Sequence, residues 1–232
     1  MDILYMNFLK NTFGIDESII RLTMEIENEV SDIFREIGSV REANQYKVIA
    51  AMQEHSLSDS HFGGTTGYGY GDRGREVLDS VYASVFGAED ALVRHQIVSG
   101  TQAIAICLYG NLRPGDELLS ITGKPYDTLE EVIGIRGEGA GSLMDFGITY
   151  RQLDLLEDGS IDVDRIKTAM GPRTKMVFIQ RSRGYEWRPS MSIDDIRSAV
   201  GEVKRINKNA IVMVDNCYGE FTETEEPTQT GA

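Results

Sequence analysis

The sequence has little cysteine and little positive charge for its length, and both shortages exclude classes of protein. Its 232 residues include two cysteines, Cys107 and Cys217, which lie far apart in apolar segments. This pattern indicates neither a disulfide framework nor a zinc site, and it is typical of a reducing, cytoplasmic setting. The 37 acidic residues outnumber the 23 basic ones, for a net charge of −14. Nucleic acids and anionic membrane surfaces select for Lys and Arg, so we expect neither as a partner.

Two longer signals are also missing. No stretch approaches the roughly 18 consecutive apolar residues of a membrane span. The phosphate-binding loop of nucleotide hydrolases, GxxxxGK[ST], is absent, because the only Gly-Lys pair, Gly123-Lys124, is followed by Pro125. We therefore expect a globular protein that acts on small molecules and is not a nucleotide hydrolase.

Apolar periodicity predicts a helical segment at the start of the chain. From Asp16 to Gly38 the apolar residues fall three or four apart, which predicts one amphipathic helix that Gly38 ends. A second helix is predicted over Val40–Gln53. With the polar residues that follow, these helices predict an N-terminal helical arm over residues 1–60, with a second domain over residues 61–232.

The remainder of the chain alternates between strand and helix patterns. Apolar runs such as MVFI and IVMV are typical of parallel strands that are buried on both faces. The fold class is therefore α/β, with a mostly parallel sheet and helices on both faces. Strands are predicted at Glu117–Ile121, Ile148–Leu153, Lys175–Gln180 and Ile211–Val214, with a short one from Leu92. Helices are predicted at Arg75–Gly87, Thr101–Tyr109, Tyr126–Ile135, Asp164–Met170 and Ser192–Asn207.

Polar residues collect where strands end and one helix begins. The predicted helix Thr101–Tyr109 has polar or small residues at its start, namely Ser99, Gly100, Thr101 and Gln102. The free N–H groups of a helix start attract anions. A simpler interpretation is that Ser99 is only an N-cap. Ligands of parallel sheets bind outside the carboxyl ends of the strands, where Ser99, Arg181 and Asp215 can meet.

A phosphate seat, the aromatic Tyr126 and the strand-end carboxylate of Asp215 together describe a pyridoxal 5′-phosphate pocket. Tyr126 would stack on the ring, and Asp215 would keep its nitrogen protonated. Asp215 has other possible roles, since such a carboxylate can also bind a metal or cap a turn.

Other motifs have simpler explanations. The segment Gly69–Gly74 matches GxGxxG, but no strand precedes it, so we interpret the match as coincidence. The three histidines, His55, His61 and His95, are irregularly spaced and indicate no metal site. Cys217 has no histidine near it in sequence, so a thiol in the pocket wall or core is expected rather than a nucleophile.

Five segments carry a resemblance to a known family: HFGGTTGYGYGDRGRE, ALVRHQIVSGTQAI, RPGDELLSITGKPYDTLEEVIG, VFIQRSRGYEWRPSMSI and VDNCYGEFTETEEPT. In this order they resemble the aluminium-resistance proteins of bacteria, which are related to methionine gamma-lyase and cystathionine beta-lyase. The resemblance implies the large domain of fold type I pyridoxal phosphate enzymes, a homodimer or homotetramer with sites at subunit boundaries, and carbon–sulfur lyase chemistry on sulfur-containing amino acids.

The resemblance also assigns roles to residues. It implies that Gly100, Thr101 and Gln102 form the phosphate-binding turn, that Tyr126 stacks on the ring and that Asp215 faces the pyridine nitrogen. A loop that carries Tyr68, Tyr70 and Arg73 resembles the segment that reaches a neighbouring subunit's phosphate, although a surface loop would have the same composition. Arg181 and Arg183 lie where a substrate carboxylate could meet a guanidinium, and solvated arginines are the alternative.

One departure from the family matters most. Fold type I enzymes use a Schiff-base lysine after the aspartate strand, yet no lysine follows Asp215 in this chain. We therefore expect an N-terminal fragment, truncated before the lysine and the small domain and inactive alone. Transaminase-type or aldolase-type chemistry on the same cofactor, or a non-catalytic stress-associated role, are the other functions that the sequence allows.

Overall fold

The computed structural model describes residues 3–66, 68 and 70–232. The chain divides into two compact units, one that ends at Tyr46 and one that comprises Lys47–Ala232. Helix α1 spans Ile3–Phe13, α2 spans Glu17–Glu29 and α3 spans Ser31–Glu54. The domain division at residue 60 stays a prediction.

The prediction of a single helix from Asp16 to Gly38 is wrong, because the segment is divided between α2 and α3 and because α3 does not end at Gly38. Asp16 does cap α2, accepting a hydrogen bond from the Ser18 N–H at 2.8 Å, but this helix ends at Glu29, with Val30 as its C-cap. Helix α3 then continues through Gly38, which does not adopt the left-handed conformation of a helix-ending glycine. A mid-helix glycine costs only about 1 kcal/mol, which is too little to end a helix of 24 residues.

The second unit contains a four-stranded parallel sheet, which confirms the predicted α/β class. Its strands are β1 (Glu117–Ser120), β2 (Thr149–Gln152), β3 (Thr174–Gln180) and β4 (Ile211–Asp215), in the spatial order β2-β1-β3-β4. The helices of this unit, after the end of α3, are α4 (Arg73–Phe86), α5 (Gly100–Asn111), α6 (Asp127–Ile133), α7 (Val163–Ala169) and α8 (Ile193–Ile206). Among the described residues, no helix is both long and apolar enough to cross a membrane.

Both faces of the sheet are buried because successive side chains of a strand point to opposite faces. Met176 and Phe178 of β3 pack with apolar residues of α5 and α6, whereas Val177 and Ile179 pack with those of α8. Helix α7 contributes Ile166 to the second cluster. These two apolar clusters hold the sheet between its helices, and the loops cover the ends of the strands.

The strand predicted from Leu92 is wrong, since residues 91–98 form no strand. Side chains take the backbone groups that a strand would use: the Val93 N–H donates to Asp79 Oδ1, and the Val98 N–H donates to Gln102 Oε1, both at 2.8 Å. Leu92 and Val98, at the two ends of the segment, are also exposed, so little apolar burial stabilises a strand here. These side-chain hydrogen bonds therefore replace strand pairing in the segment.

Helix α8 provides the first test. Ser192 and Asp195 form the predicted capping box, in which the Asp195 N–H donates to Ser192 Oγ at 3.1 Å and the Ser192 N–H donates to Asp195 Oδ2 at 2.9 Å. Replacing Ser192 with Ala should lower the free energy of unfolding by about 1 kcal/mol, measured by urea denaturation. The control is Ser198→Ala in the exposed interior of the same helix, and an equal effect of both changes would contradict the capping role.

Candidate functional site

A cleft of about 310 Å³ lies at the carboxyl ends of β1, β3 and β4. It brings together four of the predicted residues, Gly100, Thr101, Tyr126 and Asp215. The other residues of its wall are Ile104, Thr128, Leu129, Ser182, Gly184, Tyr185, Cys217 and Tyr218. Each polar group reaches the cleft from a loop after a strand or from the start of a helix, as expected for a parallel sheet.

The start of α5 forms one wall of the cleft. Ser99 caps the helix, because its Oγ accepts from the Gln102 N–H at 3.1 Å, and Gln102 Oε1 in turn accepts from the Val98 N–H. Both side chains therefore shape the turn. As the first residues of the helix, Gly100 and Thr101 have N–H groups without a carbonyl partner inside it, which suits an anion. The Thr101 hydroxyl pairs with Thr128 Oγ1 at 2.8 Å.

Tyr126 is held by a residue that the sequence analysis did not select. The buried Gln180 ends β3, and its Oε1 accepts from the Tyr126 N–H at 2.7 Å while its Nε2 donates to the Ser182 carbonyl at 3.3 Å. The Gln180 amide thus ties the loop after β1 to the loop after β3. A polar side chain that ends an apolar strand was the available signal. The Tyr126 ring lies 6.3 Å from that of Tyr185, measured between centroids.

Asp215 is a half-buried carboxylate at the end of β4, directly opposite Gln180 in the register. Burial raises its pKa, the Cys217 N–H that donates to Oδ1 at 3.1 Å lowers it, and the negative charge of Glu220 raises it. In the part of the chain that the structure describes, no cation contributes to this shift. Such a carboxylate can accept a hydrogen bond from a protonated ring nitrogen.

Cys217 lines the same cleft, and its surroundings disfavour a nucleophile. Burial raises the pKa of the Cys217 thiol, and the nearby carboxylates of Asp215 and Glu220 raise it further. The thiolate is the reactive form, so this thiol is largely protonated at neutral pH. The residue forms part of the pocket wall.

The two predicted substrate-binding arginines lie outside the wall of this cleft. Arg181 is only 3% exposed, and its guanidinium bonds to groups of the protein itself, including Glu223 at 2.6 Å. Arg183 is exposed in the loop after β3. The predicted role in substrate binding therefore stays a prediction for both residues.

The loop residues predicted to reach a neighbouring subunit also lie away from the cleft wall. Tyr68 and Tyr70 are 83% and 93% exposed, and Arg73 is exposed at the start of α4. Gly69, the first glycine of the GxGxxG match, lies outside the described residues. The sequence analysis did not select Ser182, Tyr185 and Tyr218 of the cleft wall. Each of them follows the end of a strand, which was the available signal.

The parallel sheet, with helices on both faces and a cleft at its carboxyl edge, has the α/β fold of the large domain of fold type I pyridoxal phosphate enzymes. The methionine gamma-lyase family matches residues 19–232, and the chain belongs to that family. This confirms the predicted fold type and the predicted family resemblance.

Individual relatives agree with this assignment. The uncharacterized protein YnbB of Bacillus subtilis is 54% identical over 223 residues, which cover 96% of this chain and 53% of YnbB. The crystal structure of a carbon-sulfur lyase involved in aluminum resistance from Clostridium novyi is 46% identical, with a TM-score of 0.92 over 100% of this chain and 55% of that one. The L-methionine gamma-lyase of Pseudomonas putida is 30% identical over 145 residues, covering 61% of this chain and 30% of that protein. The chain thus spans about half the length of the first two relatives.

Asp215 provides the second test, through the pH dependence of stability. Its pKa is higher in the folded protein than in the unfolded chain, so ionisation destabilises the fold at every pH above the unfolded value of about 3.9. Asp215→Asn should therefore raise the urea midpoint at pH 7. This gain should shrink as the pH falls through the folded pKa and vanish below the unfolded one.

The control for this test is Asp164→Asn, at an exposed position in α7. Asp164→Asn should produce little change in the urea midpoint, both at pH 7 and below the pKa of the unfolded chain. A destabilising effect of Asp215→Asn at pH 7, or a gain that persists in acid, would contradict the account of the buried carboxylate.

Proposed function

We propose that the cleft binds pyridoxal 5′-phosphate and that the chain contributes to a carbon–sulfur lyase for sulfur-containing amino acids. The proposal rests on the convergence of the start of helix α5, the ring of Tyr126 and the half-buried carboxylate of Asp215 in one cleft of about 310 Å³. The family supports the choice of cofactor and of reaction. The names of the relatives support sulfur-containing amino acids as the substrate class.

The residues present fit this cofactor. The N–H groups of Gly100 and Thr101 would hold the phosphate, and Tyr126 would contact the ring. Asp215, whose burial raises its pKa and which receives no compensating cation from the described residues, would keep the ring nitrogen protonated. When bound, the cofactor supplies an electron-withdrawing ring that stabilises negative charge on the substrate's α-carbon.

None of the described lysines is placed to bond covalently to a cofactor in the cleft. All lysines of the chain precede Asp215, and none lines the cleft within the described residues. Lys124, in the loop after β1, pairs with Glu130 at 2.9 Å. We therefore propose that the residues of the cleft hold and orient the cofactor without a covalent bond to it.

We also propose a homodimer or homotetramer in which one subunit's loop completes its neighbour's site. Tyr68, Tyr70 and Arg73 are exposed and lie outside the wall of their own cleft, which supports a role toward another subunit. The proposed setting is the cytoplasm, in line with two free cysteines.

Cofactor binding is the third test. The 232-residue chain should bind pyridoxal 5′-phosphate in equilibrium dialysis, and Asp215→Asn should weaken binding by roughly tenfold or more, since a hydrogen bond to a charged group contributes about 1.5–3 kcal/mol. Tyr126→Phe should keep most of the affinity that Tyr126→Ala loses. The control is Asp164→Asn, and equal binding by all variants would refute the assignment of the cleft.

Lyase chemistry needs a separate experiment. The chain, joined to the part of YnbB that it does not cover, should release a keto acid from cysteine, methionine or cystathionine when loaded with cofactor. Analysis of the products over a panel of amino acids separates this outcome from transamination or aldol cleavage. Cofactor binding without any turnover would support a non-catalytic role instead.

A further inference from the structure

We propose that Arg181 is a positioning residue that fixes the loop after β4, residues 216–226, and thereby keeps Asp215 and Tyr218 in place at the cleft. This inference rests on the proposed function of the cleft. It gives Arg181 a role different from the contact with a substrate carboxylate that its place in the sequence suggests.

The main chain of Arg181 already pairs with the strand that carries the carboxylate. Its N–H donates to the Asp215 carbonyl at 3.0 Å, continuing the register of β3 with β4 by one step. Its own carbonyl accepts from the Met191 N–H at 3.2 Å. Arg181 therefore joins the end of β4 to the segment that leads into α8.

The side chain of Arg181 then holds the loop itself. Nη1 donates to Asn216 Oδ1 at 2.8 Å and to the Gly219 carbonyl at 2.9 Å, and Nη2 donates to Glu223 Oε1 at 2.6 Å. Nε donates to the Met191 carbonyl at 3.1 Å, and a longer contact of 3.4 Å joins Nη2 to Thr222 Oγ1. A guanidinium has five N–H donors, so these partners leave none for a substrate.

The charge of the guanidinium is also matched within the protein. Glu223 Oε1 accepts from Arg181 and, at 3.0 Å, from the Ile193 N–H at the start of α8. Arg181 itself is almost fully buried, and removal of one partner of a buried pair leaves the other charge uncompensated. The pair therefore anchors the loop to the sheet and to α8 at once.

Backbone conformation in this loop requires such an anchor. Tyr218 and Phe221 have φ angles of 66° and 61°, a left-handed conformation that is strained for residues other than glycine. Surrounding contacts must compensate this strain. Phe221 donates its N–H to the fully buried Glu226 at 2.9 Å, and Glu226 also accepts from Asn216 Nδ2 at 3.1 Å. The loop is thus held at both ends while Tyr218 faces the cleft.

Gly219 shows how closely the loop fits the guanidinium. A Cβ atom at this position would lie 2.6 Å from Arg181 Nη1 and 2.5 Å from Asn216 Oδ1. Only a glycine lets the backbone pack directly on the charged group. Gly219→Ala therefore displaces the guanidinium without removing its charge.

The fourth test is Arg181→Lys in the 232-residue chain, which keeps the charge but cannot make the branched set of hydrogen bonds. At saturating pyridoxal 5′-phosphate, the variant should lose most of the visible circular dichroism that the bound ring shows in the parent chain. Its affinity should fall by about tenfold, a loss comparable to that caused by removing a hydrogen-bond partner behind a metal ligand. Amides of residues 216–226 should exchange hydrogen faster than in the parent chain, while those of α8 should not.

Two further variants keep the proposal falsifiable. Arg205→Lys, which alters an exposed ion pair with Glu202, is the matched control and should change none of the three readouts. Gly219→Ala should reproduce the effects of Arg181→Lys, including when the lysine variant fails to fold. The double variant should bind no more weakly than either single one, because both remove the same contact.

The outcomes separate the two proposals. Unchanged exchange, dichroism and affinity in Arg181→Lys and Gly219→Ala would overturn the positioning role. Failure of the parent chain to bind the cofactor would refute the proposed function instead, and hydrogen exchange in residues 216–226 would still decide whether Arg181 holds the loop. Weaker binding without faster exchange would favour a purely electrostatic role and would also overturn the proposal.

Discussion

Parallel pairing of β3 with β4 is the constraint on which the rest of the site depends. Its register sets Gln180 opposite Asp215, so the polar residues that end two apolar strands lie side by side at one edge of the sheet. Gln180 then holds the backbone of Tyr126, and the main chain of Arg181 continues the pairing beyond the strands. A slip of one residue would turn each of these side chains toward the opposite face.

The same sheet explains why a carboxylate can be kept half-buried with no cation beside it among the described residues. Apolar residues cover both faces, and their burial stabilises the fold enough to tolerate the cost of desolvating Asp215. The strained conformations of Tyr218 and Phe221 are a second cost at the same edge. Both costs lie beside one cleft, as expected where a binding site rather than stability determines the residues.

Much of this arrangement could be predicted from local patterns. The four strands of the sheet agree with their predicted positions to within about one residue, and the capping box of α8 begins at Ser192 as predicted. The strands and the cap were predictable because each rests on a period or a cap that neighbouring residues determine. The rule that parallel strands bind ligands at their carboxyl ends predicted that Ser99, Arg181 and Asp215 can meet, and of these three residues Asp215 lines the cleft whereas Ser99 and Arg181 do not.

Other features depend on side-chain partners. The apolar segment from Leu92 forms no strand because the side chains of Asp79 and Gln102 accept hydrogen bonds from its amides. Arg181 faces inward because its partners in the loop after β4 lie 35 to 42 residues further along the chain. A local sequence pattern does not predict hydrogen-bond partners that lie so far away along the chain.

Binding of pyridoxal 5′-phosphate in the cleft can be tested by following the backbone amide resonances of the chain during titration with the cofactor. Specific shifts at Gly100, Thr101, Tyr126 and Asp215 are predicted, whereas shifts confined to other residues would contradict the account.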